Sequence, residues 1–461
     1  MATIPQDEGR GNFGSLIGFV MAGAGSAIGL GNIWRFPYMT GESGGAAFLL
    51  VYLGFVALIG VPVLYAELAM GRASQRNPVG AFAVLGPKGN NPWAWVGGLG
   101  VVTGFAILAF YSVVAGWTLG YVAMAVSGQF SGGVTPEESG NLFGGLVSNP
   151  LLASGLTALF LVLTALVVRG GVQKGIERAT SILMPVFLVL LVLLAIRSVT
   201  LPGALQGVEF LFLPDFSKIT HIVVVKALGQ ALFSLSLGMG AMITYGSYLD
   251  RKSSLPFAGA TVALFDTAIA VLAGLIIFPA LFSAGVDPSG GAGLVFVVMP
   301  TIFEAMPLGD VFAVAFYVLL ATAALTSTVS LLEVIVSYLV DERGMSRETA
   351  VWATTAACLV LAIPSALAQG AVGFFSSLPG LEISFLDLQN NLWGNYSLSI
   401  GALLMCLFTG WVWGVQPALE EMEASGDGLP LGGLWGFLVR VVCPLAIAGL
   451  LVYITVTGDF F

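Results

Sequence analysis

The sequence predicts an all-α polytopic membrane protein of eleven spans, on three observations. Of 461 residues, 57% are hydrophobic and only 9% charged, whereas a soluble protein carries about a quarter charged residues. The apolar residues fall into stretches near 13–38, 44–71, 94–127, 151–168, 176–197, 222–250, 258–284, 310–340, 347–367, 392–416 and 433–457, and a helix needs about 20 such residues to cross a bilayer. Positive charge is one-sided, as the positive-inside rule requires. With the N-terminus cytoplasmic, the inside segments hold Arg10, Arg72, Arg76, Lys88, Arg169, Lys174, Arg178, Arg251, Lys252, Arg343 and Arg347, while the outside holds Arg197 and Lys218, with Lys226 near a boundary. The expected location is the cell's inner (plasma) membrane, with residues 1–461 as a single multi-pass unit in the lipid bilayer.

Composition also excludes function classes. A net charge of -9 argues against nucleic acid, which is bound by basic patches. Cys358, Cys406 and Cys443 each lie in an apolar run and are expected to be packing residues rather than a disulfide framework. The polar start, MATIPQDEGRGN, does not read as a cleavable signal. His221 is the sole histidine, so there is no HExxH zinc site, and no pair of membrane aspartates is placed for proteolysis. The chain is therefore not read as an enzyme. Nothing in it points to an obligate protein partner.

The first span is unusual. Residues 23–31 hold four glycines, Gly23, Gly25, Gly29 and Gly31, at mid-membrane, and each interior glycine costs a helix roughly 1 kcal/mol relative to alanine. Glycines alone fit a small-residue packing face equally well. Asn32 and Arg35 do not, because polar side chains in hydrocarbon cost about 2.5–3.5 kcal/mol and mark a lined cavity. The sixth span repeats the pattern in Ser234-Leu235-Ser236-Leu237-Gly238-Met239-Gly240. Interruptions at corresponding positions of two halves point to a transporter site at the midplane. Unwound backbone is tolerated there only where it is buried in protein or lines a cavity.

The seventh span carries Asp266 in an apolar run, and the eighth carries Thr326, Ser327 and Thr328. Membrane hydroxyls commonly bond back to their own helix, so that alternative stays open for the eighth span. A buried carboxylate must be protonated or lie beside a cation. Hard cations take oxygen ligands, and two oxygen sets are available: Asn32, Ser234 and Asp266, then Thr326 and Ser327.

At this point the residues resemble the neurotransmitter:sodium symporter family, which includes bacterial LeuT-like amino-acid transporters. GSAIGLGNIWRFPY at 25–38, GGAAF at 44–48, AELAMGR at 66–72, GWTLGY at 116–121, KGIER at 174–178 and SLSLGMGAMITYGSY at 234–248 occur in family order. The resemblance implies a LeuT-like fold with two inverted five-helix repeats, 13–198 and 222–416, and an eleventh helix at 433–457, working by sodium-driven alternating access.

By that resemblance one Na+ would lie on the carbonyl of Ala27 with Asn32, Ser234, Asp266 and the substrate carboxylate, and a second on the carbonyls of Gly25, Ile28 and Ala323 with Thr326 and Ser327. An amino-acid substrate would sit among Ser26, Ala27, Leu30, Gly31, Ile107, Tyr111, Phe233, Ser236, Met239, Ser327 and Leu331. Tyr111 would hold its carboxylate and Phe233 would form a lid. Relatives that carry monoamines have an aspartate at the position of Gly29, so the substrate here would bring its own carboxylate. Chloride would not be required, because Asp266 supplies the negative charge that chloride provides in animal relatives near Tyr52, Gln230 and Ser234. The register of span seven leaves Phe265 or Asp266 at the sodium position, and only Asp266 offers oxygen.

The resemblance further implies an outer gate between Arg35 and an acid early in span ten, where this chain reads Asp387-Leu388-Gln389-Asn390. Asn390 stands at the acid's register and Asp387 one turn earlier. The inner gate would pair Arg10 with Asp341, two residues that could equally be solvated loop charges. Gly175 and Pro185 bracket the cytoplasmic start of span five. The spacing fits either a segment that unwinds to admit water or an ordinary proline kink.

Overall fold

The computed structural model describes residues 11–89, 91–131, 134–289, 293–304, 307–429 and 431–460; Arg10 of the expected inner gate lies outside them. Among the described residues, nine helices are long and apolar enough to cross a membrane: Ala46–Ser74, Ala94–Val126, Pro150–Arg169, Val172–Val199, Leu255–Ser283, Gly309–Arg343, Arg347–Ala366, Phe385–Met422 and Gly432–Thr457. Leu16–Ala27 and Gly31–Glu42 form one further span, bent by 48° at its break. The sixth apolar stretch is two shorter helices, His221–Ser234 and Ala241–Gly246, separated by six irregular residues.

Local chemistry sets the helix ends. Ser15 accepts a hydrogen bond from Gly18 N at 2.9 Å and opens the first span. Asn149 caps Leu151 and Leu152 ahead of Pro150, where proline's missing N–H costs nothing. Gly344 ends the eighth span in the left-handed conformation, and Ser346 caps the ninth two residues later.

Span five shows the lipid-facing logic. Ile182, Val186, Val189 and Leu193 are exposed along one stripe, while Met184, Phe187, Leu191 and Leu194 are buried on the other face. Its N-terminal end is a π-turn at Val172–Glu177, and the helix runs on through Pro185 without a break. Glu177 ties this end to span one by accepting from Gly14 N at 2.7 Å and Ser15 Oγ at 3.2 Å.

Spans one, three, six and eight surround the centre, with three and eight packed along much of their length. The apolar-length criterion misses short helices in the connections: Pro78–Leu85, Pro136–Val147, Ala204–Phe212 and Met299–Glu304. They are too short to span, so only their capping residues signal them, as in the Thr135–Glu138 capping box. The three cysteines are buried and free.

Candidate substrate and cation site

The two breaks face each other because each frees backbone groups that the other side satisfies. At the first, Ile28 is extended (φ -77°, ψ 105°) and the helix resumes only at Gly31. Gly29 N donates to Asn32 Oδ1 at 3.2 Å and Leu30 N to the Tyr111 hydroxyl at 2.8 Å. A Cβ at Gly29 would lie 2.6 Å from the Tyr111 hydroxyl and closer still to Ser327 Oγ, so glycine is required by space. At the second break, Ser236, Gly238 and Gly240 have φ of 55°, 79° and 78°. The left-handed conformation is tolerated routinely only by glycine, and Ser236 is held in it while its hydroxyl donates to Ser26 O at 3.0 Å. Gly238 N donates to Glu67 Oε1 at 2.7 Å, the carboxylate being fully buried in span two.

One oxygen cluster joins spans one, two, six and seven. Asn32 Nδ2 donates to Asp266 Oδ1 at 2.7 Å, and Ser234 Oγ lies 2.9 Å from both carboxylate oxygens. The Tyr52 hydroxyl donates to Oδ2 at 3.4 Å. All four residues are buried, and Asp266 rather than Phe265 carries its side chain into the cluster. Gln230 Nε2 donates to Gly31 O at 2.8 Å beside it.

A second cluster joins spans one and eight. Thr326 Oγ1 donates to Ala323 O at 3.0 Å on its own helix and reaches Ile28 O at 3.5 Å across the break. Ser327 Oγ approaches Ser26 O at 3.3 Å and Ile28 O at 3.4 Å. Back-bonding and facing the freed carbonyls thus coexist. Gly25 permits the approach, since a Cβ there would stand 3.2 Å from Thr326 Cβ.

Between the clusters lies a small pocket lined by Ser26, Ala27, Gly29, Gly31, Ile107, Tyr111, Phe233, Ser236, Met239, Ser327, Ser330 and Leu331. Every residue expected around the substrate is there except Leu30, which contributes its N–H through Tyr111; Gly29 and Ser330 are additions. No acidic or basic side chain lines it.

The described residues expected at the gates make the following contacts. Arg35 stacks over Phe233, with Cζ 4.5 Å from the ring centroid, and donates to Asn395 Oδ1 at 3.5 Å. Asp387 is exposed and accepts from Ser384 Oγ at 2.7 Å at the cap of span ten, while Asn390 begins the π-turn Asn390–Ser397. On the other side, Asp341 accepts from Asn77 N at 3.2 Å and Asn77 Nδ2 at 3.1 Å. Sequence reasoning passed over Glu333, which is fully buried, pairs with Arg347 and accepts from the Tyr248 hydroxyl at 2.7 Å. Arg347 also donates to Val168 O at 2.9 Å. The signal was an acid within the apolar run Leu331-Leu332-Glu333-Val334-Ile335.

Known proteins share this fold. The chain matches the sodium:neurotransmitter symporter family over residues 10–133 and 146–458. It is 39% identical to the uncharacterized sodium-dependent transporter YhdH of Bacillus subtilis, over 96% of this chain and 97% of that one. It is 26% identical to the sodium- and chloride-dependent glycine transporter 2 of Xenopus laevis, over 91% and 61% respectively. The crystal structure of MhsT in complex with L-phenylalanine superposes with a TM-score of 0.88 at 47% identity, covering 96% of this chain and 99% of that one. The broken helices, the oxygen clusters beside them and a match along nearly the whole length make this chain a member of the sodium:neurotransmitter symporter family.

Proposed function

We propose that the protein is a symporter that imports neutral, mostly apolar α-amino acids, driven by two sodium ions and without chloride. The observation that carries this reading is a pocket with no charged side chain, set between two oxygen clusters at the broken helices. One ion would sit at Asp266, Asn32, Ser234, the Ala27 carbonyl and the substrate carboxylate. The other would sit at Thr326, Ser327 and the carbonyls of Gly25, Ile28 and Ala323. The substrate carboxylate would face Tyr111 and the Leu30–Gly31 backbone. Its ammonium would meet carbonyls at Ala27 and Phe233 and the free lone pairs of Ser236. Ile107, Phe233, Met239 and Leu331 would surround the side chain, and the thioether of Met239 can repack around guests of different size. The L-phenylalanine in the MhsT complex supports a substrate of this class.

With the divided sixth stretch as a crossing, the protein would have eleven spans with the N-terminus inside, in two inverted repeats, 13–198 and 222–416. At 100 mV each sodium supplies about 2.3 kcal/mol, and a tenfold gradient adds about 1.4 kcal/mol. Two ions with a neutral substrate then support roughly 10⁵-fold accumulation. In proteoliposomes, uptake of leucine, methionine, phenylalanine or tryptophan should require sodium. Glutamate, lysine and the decarboxylated amines should compete weakly. Uptake unchanged in potassium, or tighter binding of an amine lacking the carboxylate, would contradict the reading.

A further inference from the structure

Ser330 entered the pocket unannounced by any motif, and its hydroxyl belongs to a short relay. Ser26 Oγ donates to Ser330 Oγ at 2.8 Å, and Ser330 Oγ donates to Ser327 O at 2.8 Å. Both side chains are 1% exposed, yet both line the pocket. A serine hydroxyl has one proton to donate and two lone pairs to accept with. The relay runs in one direction and ends on a carbonyl, so both protons are committed. Among the described residues, nothing donates to Ser26 Oγ. The pair therefore offers the pocket acceptors and no donor.

Its position gives the acceptors a partner. Tyr111 and the Leu30 N–H mark one end of the pocket. Along span eight, Ser330 lies three residues beyond Ser327, about 4.5 Å further along the axis, and it shares the pocket with Ile107, Met239 and Leu331. This is the end that a side chain reaches when the carboxylate is held at the other. A leucine or phenyl group there covers the acceptors without using them. An indole N–H or a phenol hydroxyl satisfies one.

We propose that the Ser26–Ser330 hydroxyl pair is a specificity element that selects, among amino acids the pocket admits, aromatic side chains bearing a hydrogen-bond donor. The inference rests on the substrate orientation of the proposed function and narrows its substrate class.

The test uses the full-length protein with sodium and compares tryptophan with 3-benzothienylalanine, in which sulfur replaces the indole N–H at nearly constant shape. In the unsubstituted protein tryptophan should bind about three- to tenfold tighter, the usual worth of one neutral hydrogen bond. In the double variant Ser26→Ala/Ser330→Ala, which removes both acceptors, the ratio should fall to about one. Ser330→Ala should lower it too, because the Ser26 proton loses its acceptor and turns toward the guest. Ser330→Thr, which keeps the hydroxyl, should preserve it. Any general damage affects tryptophan and its isostere alike and cancels in the ratio. A ratio near one in the unsubstituted protein, or one that survives the double variant, overturns the inference while leucine binding leaves the proposed function standing. Absence of sodium-dependent binding for leucine and both probes would overturn that function and, with it, this inference.

Discussion

Asp266 and Phe265 are neighbours in sequence but point about 100° apart around a helix, and chemistry alone identifies the one that faces the cluster, since only Asp266 has oxygen to share with Asn32 and Ser234. Three side-chain donors hold its carboxyl group in place, and under the proposed function that group carries the negative charge. Wild-type uptake should therefore be indifferent to replacement of chloride by gluconate. Asp266→Asn should lose at least about tenfold in sodium-dependent uptake, because a buried cation is left without its counter-charge, and chloride should restore part of it. Strong chloride dependence of the wild type would reject the assignment. The partner of Arg35 was not legible in the same way. The sequence directs attention to Asp387 and Asn390 by counting in α-helical turns, but the π-turn at Asn390–Ser397 adds a residue per turn and brings Asn395 round to the arginine. Register counted from sequence fails wherever such a turn intervenes, and a π-turn has no compositional mark.

At the scale of elements, the unwound part of span six is held by a neighbour rather than by its own sequence. Gly238 N, fully buried, has Glu67 of span two as its acceptor, and a Cβ at Gly238 would strike the backbone at Leu398. Glu67→Ala should leave that N–H unsatisfied and lower stability by about 1–3 kcal/mol, seen as a lower thermal midpoint in detergent. Glu67→Gln, which keeps an acceptor, should retain most of the stability. Equal losses in the two variants would mean that Glu67 acts through its volume or charge and not as a cap. The AELAMGR motif was visible in the sequence, but this duty was not, because donor and acceptor lie 171 residues apart. The breaks themselves were visible, since glycines and hydroxyls at mid-membrane contradict a continuous helix. Span five is the opposite case: Gly175 and Pro185 suggested a weak point, and the structure keeps the segment wound, absorbing the irregularity in a π-turn.

Over the whole molecule, two contacts of different construction link the spans around the pocket, and the proposed alternating access would make each of them a closure. One closure is Arg35 lying over Phe233 and reaching Asn395, which ties span one to spans six and ten. The other is a buried network in which Glu333 of span eight holds Arg347 of span nine and Tyr248 at the end of span six, while Arg347 reaches the end of span four. Breaking one partner of a buried pair costs more than the pair is worth, because the remaining charge is stranded, so each closure should open on its own side when a partner is removed. Arg35→Ala should raise amide hydrogen exchange in residues 31–42 and 385–397 and leave 168–178 and 244–250 near the wild-type rate. Glu333→Gln should do the reverse, since a neutral amide holds Arg347 less strongly. Alternating access requires that the two sides not open together, and under the proposed function the oxygen clusters between them give the rule a physical basis: cations bound at the breaks would draw spans one, six, seven and eight onto shared ligands. Added sodium should therefore suppress the extra exchange in both variants. If either substitution raises exchange on both faces, the closures are not independent gates and the two-gate mechanism is wrong.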